Sequence, residues 1–152
     1  MSPWVLYAFL AAVFAGITNV FAKVGIAGVD SAVATTIRGL VIAVFMGSLA
    51  LYLGRFENLG MVTGRTWFFI VLTGIAGGLS WYTGFLALKL GGEATAVNAI
   101  DKLSIVFLLI FAVFFLREAL TVSKGVGILF IVFGTLLVSL PWEQLKRLLH
   151  LN

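Results

Sequence analysis

Three charged side chains, Arg38, Asp101 and Lys102, stand inside long apolar runs, where charge is least expected. A lone Lys or Arg at the middle of a membrane span costs roughly 2.5–3.5 kcal/mol on insertion scales, so intramembrane charges are functional candidates by default. Arg38 lies seven residues from Ser31 and Asp101 seven from Ala94, and both runs start from the same membrane surface. Each offset corresponds to roughly 10 Å of helix. Asp101 is therefore placed to pair with Arg38 at equal depth, or with Lys102 by side-chain bending, which leaves one net positive charge among the three. Asn19, Asn98, Ser80, Trp81 and Tyr82 reach the same level. Amides and aromatic faces beside a positive excess can bind a small polar metabolite, with a carboxylate or phosphate favoured. The plainer alternative makes Arg38 and Asp101 a buried pair that only fixes helix register, with Lys102 snorkelling toward water.

Other chemistries lack their residues. The 152 residues include no cysteine and one histidine, His150, so thiolate chemistry and a histidine metal site are excluded; no metal and no cofactor are expected. No Ser/His/Asp set or phosphate loop is present, and no enzyme is expected. The net charge is +4, but the ten basic residues are scattered singly, without the basic stripe of a nucleic-acid binder.

The elements that must position these groups are membrane helices. Hydrophobic residues make up 62% and charged residues 11%, a composition that needs lipid as its solvent. About 20 apolar residues cross a bilayer as helix, and the chain supplies such a run five times, at 4–22, 31–53, 67–88, 94–116 and 121–140. These runs do not alternate polar and apolar residues, which excludes barrel strands. The connections are short and hold nearly all remaining charge, so one all-α transmembrane domain over 1–152 is expected. The first run lacks a basic leader and is read as a retained span. Trp4, Tyr52 and Trp67 fall at span ends, at headgroup level. Pro141 ends the fifth span, and the tail at 142–150, with Trp142, Leu145 and Leu149 on one face, reads as a short interfacial helix. Gly74 with Gly78, and Gly127 with Gly134, are spaced for close helix packing or self-association.

Orientation is nearly balanced. One side carries Arg55, Arg65, Arg117 and Lys124, the other Lys23, Lys89, Lys146 and Arg147, so four face four once Arg38 and Lys102 are counted as intramembrane. Without a positive-inside bias the chain can insert both ways. An antiparallel homodimer would recreate the inverted repeats on which many transporters are built.

The segments SWYTGFLALKLG and IDKLSIVFLLIFAVFFLREALT, with KGVGILFIVFGTLL and the earlier FAGITNVFAKVGI and TTIRGLVIA, resemble an EamA domain of the drug/metabolite transporter superfamily over nearly the whole chain. Most relatives carry two such domains in inverted topology; one alone implies a single five-helix repeat that works with a second copy or another half-size subunit. The resemblance implies a multi-pass protein of the cell membrane, a secondary-active transporter of a small polar metabolite working by alternating access. Alternatives are a lipid-linked phosphate flippase subunit and a non-transporting structural or regulatory subunit. Glu118 matches the family's glutamate after the fourth helix, where a capping or packing role is expected. Many relatives have a proline near the position of Asn98 or Ala99; its absence here predicts an unkinked fourth span.

Overall fold

The computed structural model describes residues 2–140, Asn58 by its backbone alone, so the expected interfacial tail at 142–150 lies outside the described residues. The helices run α1 Pro3–Gly25, α2 Ser31–Tyr52, a short 3-10 helix Arg55–Met61, α3 Gly64–Lys89, α4 Ala94–Asp101, α5 Ser104–Phe115 and α6 Val122–Ser139. With α4 and α5 counted together as Ala94–Phe115, five helices are long and apolar enough to cross a membrane. In hydrocarbon every peptide group must find its partner within its own segment, which favours helix regardless of β-branched content. The hydroxyls obey the same demand. Thr18, Thr35, Thr36, Thr73 and Thr83 each donate to the carbonyl four residues earlier, at 2.7–2.9 Å.

Local signals set the helix ends. Pro3 occupies the first turn of α1, where a missing N–H costs nothing. Asp30 caps α2 by accepting from the N–H of Ala32 at 2.9 Å and of Val33 at 3.4 Å. Thr63 and Thr121 cap α3 and α6 in the same way, each at 3.3 Å. Gly54 follows α2 in the left-handed region at φ 63°, a conformation that glycine adopts without a Cβ penalty. Arg117 adopts φ 54° without that freedom, and its turn is closed by the Glu118 N–H reaching back to the carbonyl of Ala112 at 3.1 Å.

The chain forms two compact units, one up to Leu90 and one from Gly91. In the first, α3 packs along α2 and touches α1, and the 3-10 helix returns against α2. Ile26, Phe85 and Leu88 are buried there, and so is Ser31, whose hydroxyl has no hydrogen-bond partner among the described residues. Two cross-links tie the end of α3 to the α1–α2 turn: Lys23 Nζ donates to the Leu88 carbonyl at 3.4 Å, and Lys89 Nζ lies 3.6 Å from Asp30 Oδ2.

In the second unit α6 packs on α4. The expectation of an unkinked fourth span is corrected here. Its ladder breaks between Asp101 and Ser104, with tight i→i−3 bonds from Lys102 N to Ala99 O (3.0 Å) and from Leu103 N to Ile100 O (2.9 Å). Ile105 N to Lys102 O (3.1 Å) and Val106 N to Leu103 O (2.9 Å) continue the pattern. Proline is one cause of such breaks; a side chain inserted into the ladder is another. Thr135 of α6, 5% exposed, donates its hydroxyl to the Ala99 carbonyl at 3.2 Å and so holds that carbonyl toward α6.

Candidate functional site

The expected site residues divide between the units, with Asn19, Arg38, Ser80, Trp81 and Tyr82 in the first and Asn98, Asp101 and Lys102 in the second. In the first unit the helical register carries Arg38 on the face of α2 shared with Ser31 and Ala34, against α3. Its guanidinium carbon stands 4.1 Å from the centroid of the Trp81 ring and 5.7 Å from that of Phe85. Stacking of this kind satisfies a cation by the ring's quadrupole and leaves the N–H edge of the guanidinium available for a second partner. Neither carboxylate of this unit serves as that partner: Asp30 is paired with Lys89, and no ion pair joins Arg38 to Glu57 among the described residues. Asn19 is half-buried; Ser80 and Tyr82 are more exposed.

A hollow of about 250 Å³ opens beside Arg38, walled by Phe21, Ile26, Val29, Ile37 and Phe85. None of these five walls was legible as a site from sequence, because isolated aliphatic and aromatic residues look the same whether they pack or line a cavity. The weak signal was that four of them, Phe21, Ile26, Val29 and Ile37, fall around the α1–α2 turn in the stretch just before Arg38.

The second unit holds the other charges at the break in the fourth span. Lys102 Nζ lies 3.4 Å from Asp101 Oδ2, both side chains about half exposed. Lys102 also lines a hollow of about 480 Å³ with Ser104, Ile105, Leu108 and Ile131. The tight turn interrupts the helix beside a charged pair, and interrupted membrane helices are a recurring way to build ion and substrate sites. Thr135, which holds the break, had no place in the sequence-based set; a buried threonine in an apolar helix, read as a donor looking for a carbonyl, was the available clue. Asn98 is half-buried on α4, one turn before Lys102.

At the far end of the same unit, Glu118 Oε2 meets Lys124 Nζ at 3.5 Å, and Lys124 also donates to the Ala119 carbonyl at 3.4 Å. Both line an apolar groove of about 350 Å³ between α5 and α6. The glycines singled out for packing, Gly74, Gly78, Gly127 and Gly134, all border open space, since a Cβ added at any of them would meet nothing within 4 Å.

Comparisons with known proteins agree with this architecture. An uncharacterized transporter in the cobO 3′ region of Sinorhizobium sp is 44% identical over 136 residues, covering 90% of this chain and 96% of that protein. No solved structure matches the chain. The family pattern described as the EamA-like transporter family matches residues 2–140, a range that takes in all five spans. The chain is a multi-pass membrane protein and belongs to the EamA-like transporter family.

Proposed function

We propose that this membrane transporter is a secondary-active carrier of a small, polar, anionic metabolite, in which Arg38 and the Asp101–Lys102 pair bind the substrate or couple its movement. The observation that carries the reading is the environment of Arg38: a cation inside a span, stacked on Trp81, beside a hollow, and with no carboxylate of its own unit as partner. A charge retained at such cost, with no hydrogen bond to its edge among the described residues, favours a ligand role over a purely structural one. The interruption at Asp101–Lys102 supports a second functional locus, because an uninterrupted apolar helix would have been the cheaper solution.

The working unit is proposed to be an antiparallel homodimer, or a pairing with another half-size subunit. The Sinorhizobium relative is covered over 96% of its own length by the match, so a relative of single-repeat length supports this pairing. The near balance of basic residues supports insertion in both orientations.

Purified protein in liposomes is expected to move an anionic substrate, found by screening small carboxylates and phosphates. Arg38→Gln and Asp101→Asn are expected to reduce that flux at least tenfold while elution profile and helical circular dichroism stay unchanged. Normal transport by both variants would remove the site assignment.

A further inference from the structure

We infer that the hollow at the α1–α2 turn is a binding site for a small organic carboxylate whose body is compact and apolar. This deepens the transport reading and rests on it for the ligand's passage, though not for its binding.

The argument runs from the walls inward. Phe21, Ile26, Val29, Ile37 and Phe85 offer hydrocarbon and aromatic surface, and Arg38 is the charged group among the residues lining the hollow. One guanidinium matches one negative charge. A phosphate dianion would bring a second charge into a wall with no second cation, and an uncompensated charge in an apolar setting is strongly unfavourable. The Trp81 ring holds the guanidinium by its face, at 4.1 Å. That leaves the in-plane fork of N–H donors, whose spacing fits the two oxygens of a carboxylate. The hollow measures about 250 Å³, under the roughly 300–1,000 Å³ of drug-sized pockets, so the ligand is small. Its remaining atoms face Phe and Ile side chains that offer no hydrogen bond, and a polyhydroxylated or zwitterionic body would lose water there without replacement.

At the same end of the unit, the α1–α2 turn that bounds the hollow is fixed to α3 by Lys23, which reaches the Leu88 carbonyl, and by Lys89, which pairs with Asp30.

The test uses the full chain in lipid nanodiscs and isothermal titration with benzoate, acetate, inorganic phosphate and benzylammonium as probes. Benzoate is expected to bind at least tenfold more tightly than acetate or phosphate, with no heat from benzylammonium. Arg38→Gln should lower benzoate affinity at least tenfold, Arg38→Lys less, and Phe85→Leu should narrow the gap between benzoate and acetate. The Lys and Leu variants keep charge and bulk, so they report on the site even if Arg38→Gln does not fold. Equal binding of acetate or phosphate, or benzoate binding that ignores Arg38, overturns the inference. Flux measurements separate the two readings. Arg38-dependent transport of polar anions without benzoate binding would discard the ligand class and keep the carrier; Arg38-dependent benzoate binding with no anion crossing the bilayer would keep the site and discard the carrier.

Discussion

Asp30 shows how one residue can serve backbone and surface together. Its Oδ1 accepts from the Ala32 and Val33 amides while Oδ2 faces Lys89. The Ala32 amide first, then that of Val33 and the charge of Lys89, hold its carboxyl below the ordinary carboxylate range. Because the folded-state value is the lower one, the contribution to stability is complete above the unfolded value and disappears as pH falls through the folded one. Asp30→Asn is therefore expected to keep the cap but flatten the acid limb of the stability profile, and Asp30→Ala to lose both cap and pH dependence, measured by thermal unfolding in detergent between pH 3 and 7. Arg117 is the opposite case, a residue in the wrong conformation for its type at φ 54°. Replacing it with glycine should stabilise the turn by about 1 kcal/mol, since left-handed backbone costs an L-residue roughly that much; an unchanged or lower unfolding midpoint would show that the Arg117 side chain compensates. Counting residues from the span ends put Arg38 and Trp81 at one depth, and the two are in contact. The stack itself, and the hollow beside it, depended on rotamers and helix faces that the spacing does not encode.

At the scale of elements, the spans were legible because hydrocarbon leaves so few alternatives: five runs of apolar residues became five membrane-length helical segments, with edges displaced by a few residues. The short 3-10 helix Arg55–Met61 was not anticipated within its connection, since a glycine-flanked, charged stretch carries no strong period. The break in the fourth span was illegible for a clearer reason. No proline or glycine marks residues 99–104, and the contact that accompanies the break comes from 36 residues away, from the hydroxyl of Thr135. Thr135→Val removes the hydroxyl and keeps the shape. It should cost about 0.6–1 kcal/mol, the range of interhelical hydrogen bonds in membranes. Amide exchange or site-directed spin labels across residues 100–106 should then report a more continuous helix; an unaltered break would assign its origin to Asp101 and Lys102 instead.

For the molecule as a whole, the sequence bears directly on orientation. On the expected sidedness its basic residues balance four against four, and two of them, Lys23 and Lys89, are engaged at the α1–α2 turn with a backbone carbonyl and with Asp30. Labelling of cysteines introduced at the two ends of the otherwise cysteine-free chain should give two populations in comparable amounts in native membranes. Adding two lysines to the Arg55–Met61 connection should drive the chain to one orientation and, if antiparallel pairing is required, lower flux by at least half. A single population in the unaltered protein would redirect the search to a parallel pair or another subunit.

A pyrrolidine ring obstructs a helix permanently, whereas the break in the fourth span holds no proline and is met by a single hydroxyl contact from α6. The tight turn there advances about 2.0 Å and 120° per residue against about 1.5 Å and 100° for the α form. Rewinding the two residues between the helices, Lys102 and Leu103, would draw α5 about 1 Å toward α4 and rotate it by roughly 40°. Were release of the Thr135 contact to rewind that turn, α5 would present a different face.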